Sequence, residues 1–136
     1  MTFQIFMGFP EMEALWKELL DKARGNKLSS DEREFLDKWS KALQYLSRNP
    51  KHPGLQTHEI DDLSRKFGMK VWQSYLENNT PGAGRIFWAY GPGRQQITIL
   101  AVERHPESGK SKAYERIRLS GFPKSVSGSK EMRNKK

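Results

Sequence analysis

The sequence predicts an α+β domain with an N-terminal strand, an antiparallel helical hairpin and then an antiparallel β-meander. Three observations carry this. Apolar residues recur at helical spacing only between about residues 12 and 46. After Pro53 they become β-branched or aromatic and are punctuated by Gly and Pro. The connections between the later apolar runs are short.

The elements follow in order. Met1–Met7 is apolar and short, without a charged leader, and reads as a first strand. Met12, Leu15, Trp16, Leu19 and Leu20 fall on one helix face. Pro10 stands near the start and Gly25-Asn26 supplies the stop. Ser29 and Glu32 have the spacing of a capping box. Phe35, Leu36, Trp39, Ala42, Leu43 and Leu46 form the second stripe, which Asn49-Pro50 ends. The short loop between the stripes implies an antiparallel helix pair covering one sheet face and leaving the other open. Strands are expected at Val71–Leu76, Arg85–Tyr90 and Gln96–Val102, with turns at Asn78–Gly82 and Gly91–Gly93. Gln96–Val102 is apolar on both faces and so belongs inside the sheet. His58-Glu59-Ile60 fits the start of a strand, and Asp61–Gly68 reads as an inserted loop. Tyr114–Leu119 fits either a short helix or an edge strand.

At 136 residues the chain suits one domain with one modest core. Mean hydropathy is −0.84, and 4 Trp, 4 Tyr and 7 Phe give the core its bulk. There is no cysteine, which excludes disulfides and thiolate zinc sites. No apolar run reaches the roughly 20 residues of a membrane span. A cytoplasmic protein is expected. The domain is expected over residues 1–120, with residues 121–136 a disordered basic tail.

Charge is unevenly distributed. Residues 1–64 hold 9 basic and 11 acidic side chains, a net of −2, whereas residues 65–136 hold 15 and 5, a net of +10. Such asymmetry points to a polyanion, RNA above all, or to an acidic protein partner. A solvated surface with a basic tail is the plainer alternative.

Familiar catalytic signatures such as a phosphate-binding loop or a nucleophile elbow do not occur. His52, His58 and His105 are too scattered to suggest a metal site. One constellation remains. Arg85 opens a strand, Arg104-His105 closes the next, and Lys112, Tyr114, Arg116 and Arg118 follow in a basic segment, with Lys70 ahead of an earlier strand. RNA cleavage by internal transfer needs a base for the 2′-OH proton, a cation at the phosphorane and an acid for the leaving 5′-oxygen. Arg clamps phosphate, while His, Tyr or Glu can move protons. A nucleobase can stack on Tyr114, Tyr90 or Trp88. Whether Arg85 shares a face with His105 depends on the hairpin between them. A loop of Pro92-Gly93 puts Arg85 with Leu100, Val102 and Arg104; a loop of Pro92–Arg94 puts it with Ala101, Glu103 and His105.

The order of elements, the stretch Lys70–Trp88, and Ile97–Val102 followed by His105-Pro106 resemble the RelE/ParE superfamily of bacterial toxin–antitoxin toxins. The resemblance spans residues 1–120 in topology and about residues 50–119 in sequence. It implies a sheet like that of microbial ribonucleases and a ribosome-dependent mRNA endoribonuclease working without cofactor or metal. Partners would be a cognate antitoxin, the ribosome and mRNA. It implies Arg85 as phosphate stabiliser, His105 as general acid, Glu77 or Glu59 as base, and Tyr114 as the substrate-orienting aromatic. Arg104, Arg116, Arg118, Lys112 and Lys70 would contact RNA. The chain departs from the pattern at Pro106, where related toxins often carry Tyr, and in the insertion Asp61–Met69. The ParE branch implies instead a non-catalytic inhibitor of DNA gyrase, and a degenerate member would be an inactive RNA- or protein-binding protein.

Overall fold

A computed structural model of the chain describes residues 2–77, 84–104, 114 and 117–123. It is an α+β fold with three helices and a five-stranded mixed sheet. The elements are β1 (Gln4–Met7), α1 (Glu11–Arg24), α2 (Ser30–Arg48), a 3-10 turn (Pro53–Leu55), β2 (His58–Glu59), α3 (Asp61–Phe67), β3 (Trp72–Tyr75), β4 (Arg85–Tyr90) and β5 (Gln96–Glu103). The strand order is β1-β5-β4-β3-β2. β1 runs parallel to β5, and the remaining neighbours are antiparallel.

Local chemistry explains the helix boundaries. Ser29 Oγ accepts the Glu32 N–H at 3.1 Å, and Glu32 Oε1 accepts the Ser29 N–H at 3.0 Å, closing the capping box of α2. α1 has no such local cap, because Pro10 occupies its cap position. Ser120 supplies the acceptor instead, its Oγ taking the Met12 N–H at 3.2 Å and donating to Glu11 Oε1 at 3.0 Å. Lys22 of α1 pairs with Glu32 of α2 at 2.7 Å, and Trp16 meets Trp39 edge-on at 4.9 Å. These contacts run in opposite senses along the two helices, which therefore lie antiparallel.

α1 and α2 bury Met12, Leu19, Phe35, Trp39, Ala42 and Leu46 against Ile86, Trp88, Ile97 and Ile99 of the sheet. The other sheet face is not open as expected. Asp61–Phe67, expected as a loop, is helix α3. It packs Leu63 and Phe67 beside Phe87, Ala89, Leu100 and Ala101, together with Ile117, Leu119 and Phe122. Acidic Asp61-Asp62 at its start and basic Arg65-Lys66 at its end complement the helix dipole. Gly68 stops it at φ 88°, a left-handed conformation in which glycine is unstrained.

Residues Ile117–Ser120 form neither helix nor edge strand; they lie across this second face. Lys66 Nζ donates to the Ile117 carbonyl at 3.1 Å. Gly121 and Phe122, placed in the tail by the sequence reading, belong to this packed segment. Gly121 exchanges backbone hydrogen bonds with Phe9 at 2.8 and 2.9 Å, and Phe122 meets Phe67 at 5.6 Å. The crossing is tight: a Cβ on Gly8 would lie 2.7 Å from Ser120 Cβ and 2.8 Å from the Ile99 carbonyl. The expected turn at Asn78–Gly82 and residues 124–136 lie outside the described residues. Among the described residues no helix is long and apolar enough to cross a membrane.

Candidate functional site

The β4–β5 hairpin has neither of the loops considered from sequence. Gly91 N–H bonds the Gln96 carbonyl at 2.8 Å, so Pro92–Gln95 form the loop. A register shift between Phe87 and Trp88 then changes the pairing from Trp88↔Ile99 to Phe87↔Ala101. Leu100 and Ala101 consequently both belong to the α3-side core. This bulge restores the parity that a three-residue loop would have given, and Arg85 faces Glu103 directly.

The Arg85 side chain is 11% exposed and that of Glu103 17%. Arg85 Nε donates to Glu103 Oε1 at 3.1 Å, and Nη2 donates to the same oxygen. Nη1 lies 3.3 Å from both Gln73 Oε1 and Tyr114 Oη. Tyr114 Oη in turn donates to Gln73 Oε1 at 3.0 Å. The guanidinium carbon sits 5.2 Å from the Tyr114 ring centre and 5.5 Å from that of Phe87. Strand alternation explains the meeting: Gln73 and Arg85 lie on neighbouring strands, and Tyr114 closes over them from the C-terminal segment.

The guanidinium is thus fixed from several sides. Arg85 engages Glu103 through Oε1, and among the described residues no hydrogen bond is made to the other carboxylate oxygen. Nη2 carries a second N–H with which to meet an incoming acceptor. A cation, a carboxylate and a phenol within one hydrogen-bonded group are chemically able to hold a phosphate and move protons around it.

Only part of the expected site assembles here. Arg85 and Tyr114 come together. Glu77 does not join them, because it pairs with Lys38 of α2 at 2.8 Å on the helical side of the sheet. Hydrogen bonds that its ammonium donates to Glu77 and then Glu34 hold Lys38 above its ordinary range. Arg104 is also on that side, with its guanidinium 4.6 Å from the Phe35 ring centre. There Asp31, Glu34, Lys38, Glu77 and Arg104 border a small cleft of about 130 Å³ of mixed charge. Glu59 accepts from Ser64 Oγ at 2.8 Å, near the β2 edge. Lys70 and Arg118 are exposed. His105, Lys112 and Arg116 lie outside the described residues. Trp88, considered as a stacking platform, is fully buried.

Glu103 and Gln73 were not singled out from the sequence as site residues. Glu103 had a signal, since one of the two hairpin registers set it on the face of Arg85. Among the described residues no cluster of three or more His, Asp or Glu side chains is arranged to hold a metal. Comparison with known proteins finds no matching family model, curated protein or solved structure.

Proposed function

We propose that the protein is a RelE/ParE-like toxin that cleaves mRNA on the ribosome by 2′-OH attack, with a cognate antitoxin holding it silent in the cytoplasm. The observation that supports this most is that Arg85 joins Tyr114, 29 residues away in sequence, and the Glu103 carboxylate of the neighbouring strand in one hydrogen-bonded group. The placement of β1 beside β5, with the helix pair between β1 and the later strands, is what we take as the RelE-like arrangement.

In this reading Glu103 accepts the 2′-OH proton as the oxygen attacks phosphorus. Arg85 neutralises the charge that gathers on the phosphorane oxygens. The 5′-oxygen leaves with a proton from His105, the residue that the resemblance assigns to this step, and Tyr114 orients the phosphate. The products are a 2′,3′-cyclic phosphate and a free 5′-hydroxyl. Glu103 replaces Glu77 as the base, because Glu77 is tied to Lys38 across the sheet.

Primer extension on cellular mRNA after induction tests the reading. Discrete cuts are expected, and Glu103→Gln should reduce their rate by about 10²–10⁴-fold. A second reading has its own support. Arg85 and Glu103 neutralise each other in a largely buried setting, as a purely structural ion pair would. A non-catalytic, gyrase-inhibiting toxin predicts intact mRNA and stalled gyrase in the same experiment.

A further inference from the structure

The opposite face of the sheet carries a separate cleft of about 540 Å³, within the size range of small-ligand pockets. It opens where the chain leaving α2 passes over β3 and β4. Trp72 and Trp88 lie nearly parallel, 24° apart with centres at 6.1 Å, and Tyr90 stands at 85° to Trp88 at 5.0 Å. The three rings form an aromatic corner. Trp88 is its buried back, Trp72 is half-buried, and Tyr90 is 38% exposed, one of the few large apolar side chains so open to solvent.

The corner is rigidly built. Trp88 Nε1–H donates to Ser74 Oγ at 2.9 Å. Ser74 is 2.7 Å from Thr57 Oγ1, which donates to the Pro50 carbonyl at 2.8 Å. This relay ties the indole to the cleft's far wall. On that wall the His52 ring stacks on Tyr45 at 4.6 Å, and its Nδ1 accepts the Gly54 N–H at 3.0 Å. With Nδ1 an acceptor, the ring N–H is on Nε2. Lys51 and Gln56 are exposed at the same wall. Among the described residues no carboxylate lines the cleft, in contrast with the Glu77–Arg104 groove.

We infer that this cleft binds a nucleotide unit, with the base against Trp72 and Tyr90 and the phosphate toward Lys51 and His52. Aromatic faces hold bases of any sequence by stacking, the Gln56 amide offers both a donor and an acceptor to a base edge, and the Lys51 ammonium with the His52 Nε2–H complements a phosphate. The site is on the other side of the sheet from Arg85, so it does not depend on the nuclease reading. The chemistry serves a free nucleotide or a residue of single-stranded RNA alike.

The full chain is titrated with adenosine 5′-monophosphate, adenosine, ribose 5-phosphate and hexa-adenylate, with tryptophan fluorescence as the readout. Adenosine 5′-monophosphate should quench the signal and bind more tightly than ribose 5-phosphate. Tyr90→Ala should weaken it about 5–150-fold, whereas Tyr90→Phe, which keeps the ring, should bind like the parent. Lys51→Ala, an exposed change, should weaken the nucleotide up to about fivefold and leave adenosine unchanged. Tighter binding of hexa-adenylate assigns the site to RNA, and equal binding assigns it to the free nucleotide; both support it. Arg85→Lys and Glu103→Gln should leave this binding intact, which separates its failure from failure of the nuclease. The inference is overturned by absence of quenching, by ribose 5-phosphate binding as well as the nucleotide, by an unchanged Tyr90→Ala, or by a proline-rich peptide binding where the nucleotide does not.

Discussion

The two faces of the sheet are built to different plans. On the helical side, two long helices cover Ile86, Trp88, Ile97 and Ile99 with aromatic and aliphatic bulk, and charged groups stay at the rim. On the other side the cover is a seven-residue helix and one irregular segment, and a hydrogen-bonded charged group lies within it. Strand alternation makes this possible, since β4 sends Ile86 and Trp88 one way and Arg85 and Phe87 the other. The difference teaches that one face can supply most of the burial, which frees the other to hold Arg85 and Glu103 where apolar residues would be more stabilising.

The comparison breaks first at Trp39. It is fully buried between Trp16 and Phe35, and Trp39→Ala should cost about 3–5 kcal/mol in denaturant unfolding. A much smaller cost would mean that the helical face is not the principal source of stability. The charged group comes next. Arg85→Met or Glu103→Leu alone strands one charge and should cost about 1.5–3 kcal/mol. The double change should recover most of that loss while abolishing the proposed RNA cleavage. If the double variant is as unstable as the singles, the pair is part of the scaffold and the two-plan contrast fails.

Gly68→Ala probes the thin cover directly. Its φ of 88° is strained for alanine although a Cβ would meet nothing within 4 Å, so a loss of about 1–2 kcal/mol is expected. Faster amide exchange confined to α3 and its neighbours would sharpen the contrast. The smallest effect is at the α2 cap, where Ser29→Ala should cost about 1 kcal/mol. The same corner responds to acid. Hydrogen bonds from Lys22 and then from the Ser29 N–H hold the Glu32 carboxyl below its ordinary 4.5. Its contribution is therefore present above pH 4.5 and is lost as pH falls through the lowered value. A melting-temperature profile for Glu32→Gln should be flatter than the parent's below pH 4.5.

What could be read from the sequence follows from range. The Ser29–Glu32 box acts over three residues and marks α2 correctly, and the Arg85–Tyr90 alternation gives β4 its bounds. α3 escaped because seven residues offer too few repeats for periodicity. Its Asp-Asp start, Arg-Lys end and Gly68 stop were the better signal. The open second face followed from that omission. The Arg85 site was legible only in part, because its partner depends on a four-residue loop and a bulge acting together. Neither alone has a signature, and their combined parity selects Glu103. Glu77, which the resemblance alone offered, lies past the end of β3 at Tyr75, where alternation no longer governs side-chain direction, and it pairs with Lys38 instead.

The cap that Ser120 provides to α1 has a consequence for the order of assembly. Met12 and Ser120 are 108 residues apart. During synthesis at roughly 5–20 residues per second, about 5–20 s separate the emergence of the helix from that of its cap. Through that interval the first turn of α1 lacks its side-chain acceptor. The N-terminal half can collapse early, but the cap of its first helix waits for a segment made 108 residues later.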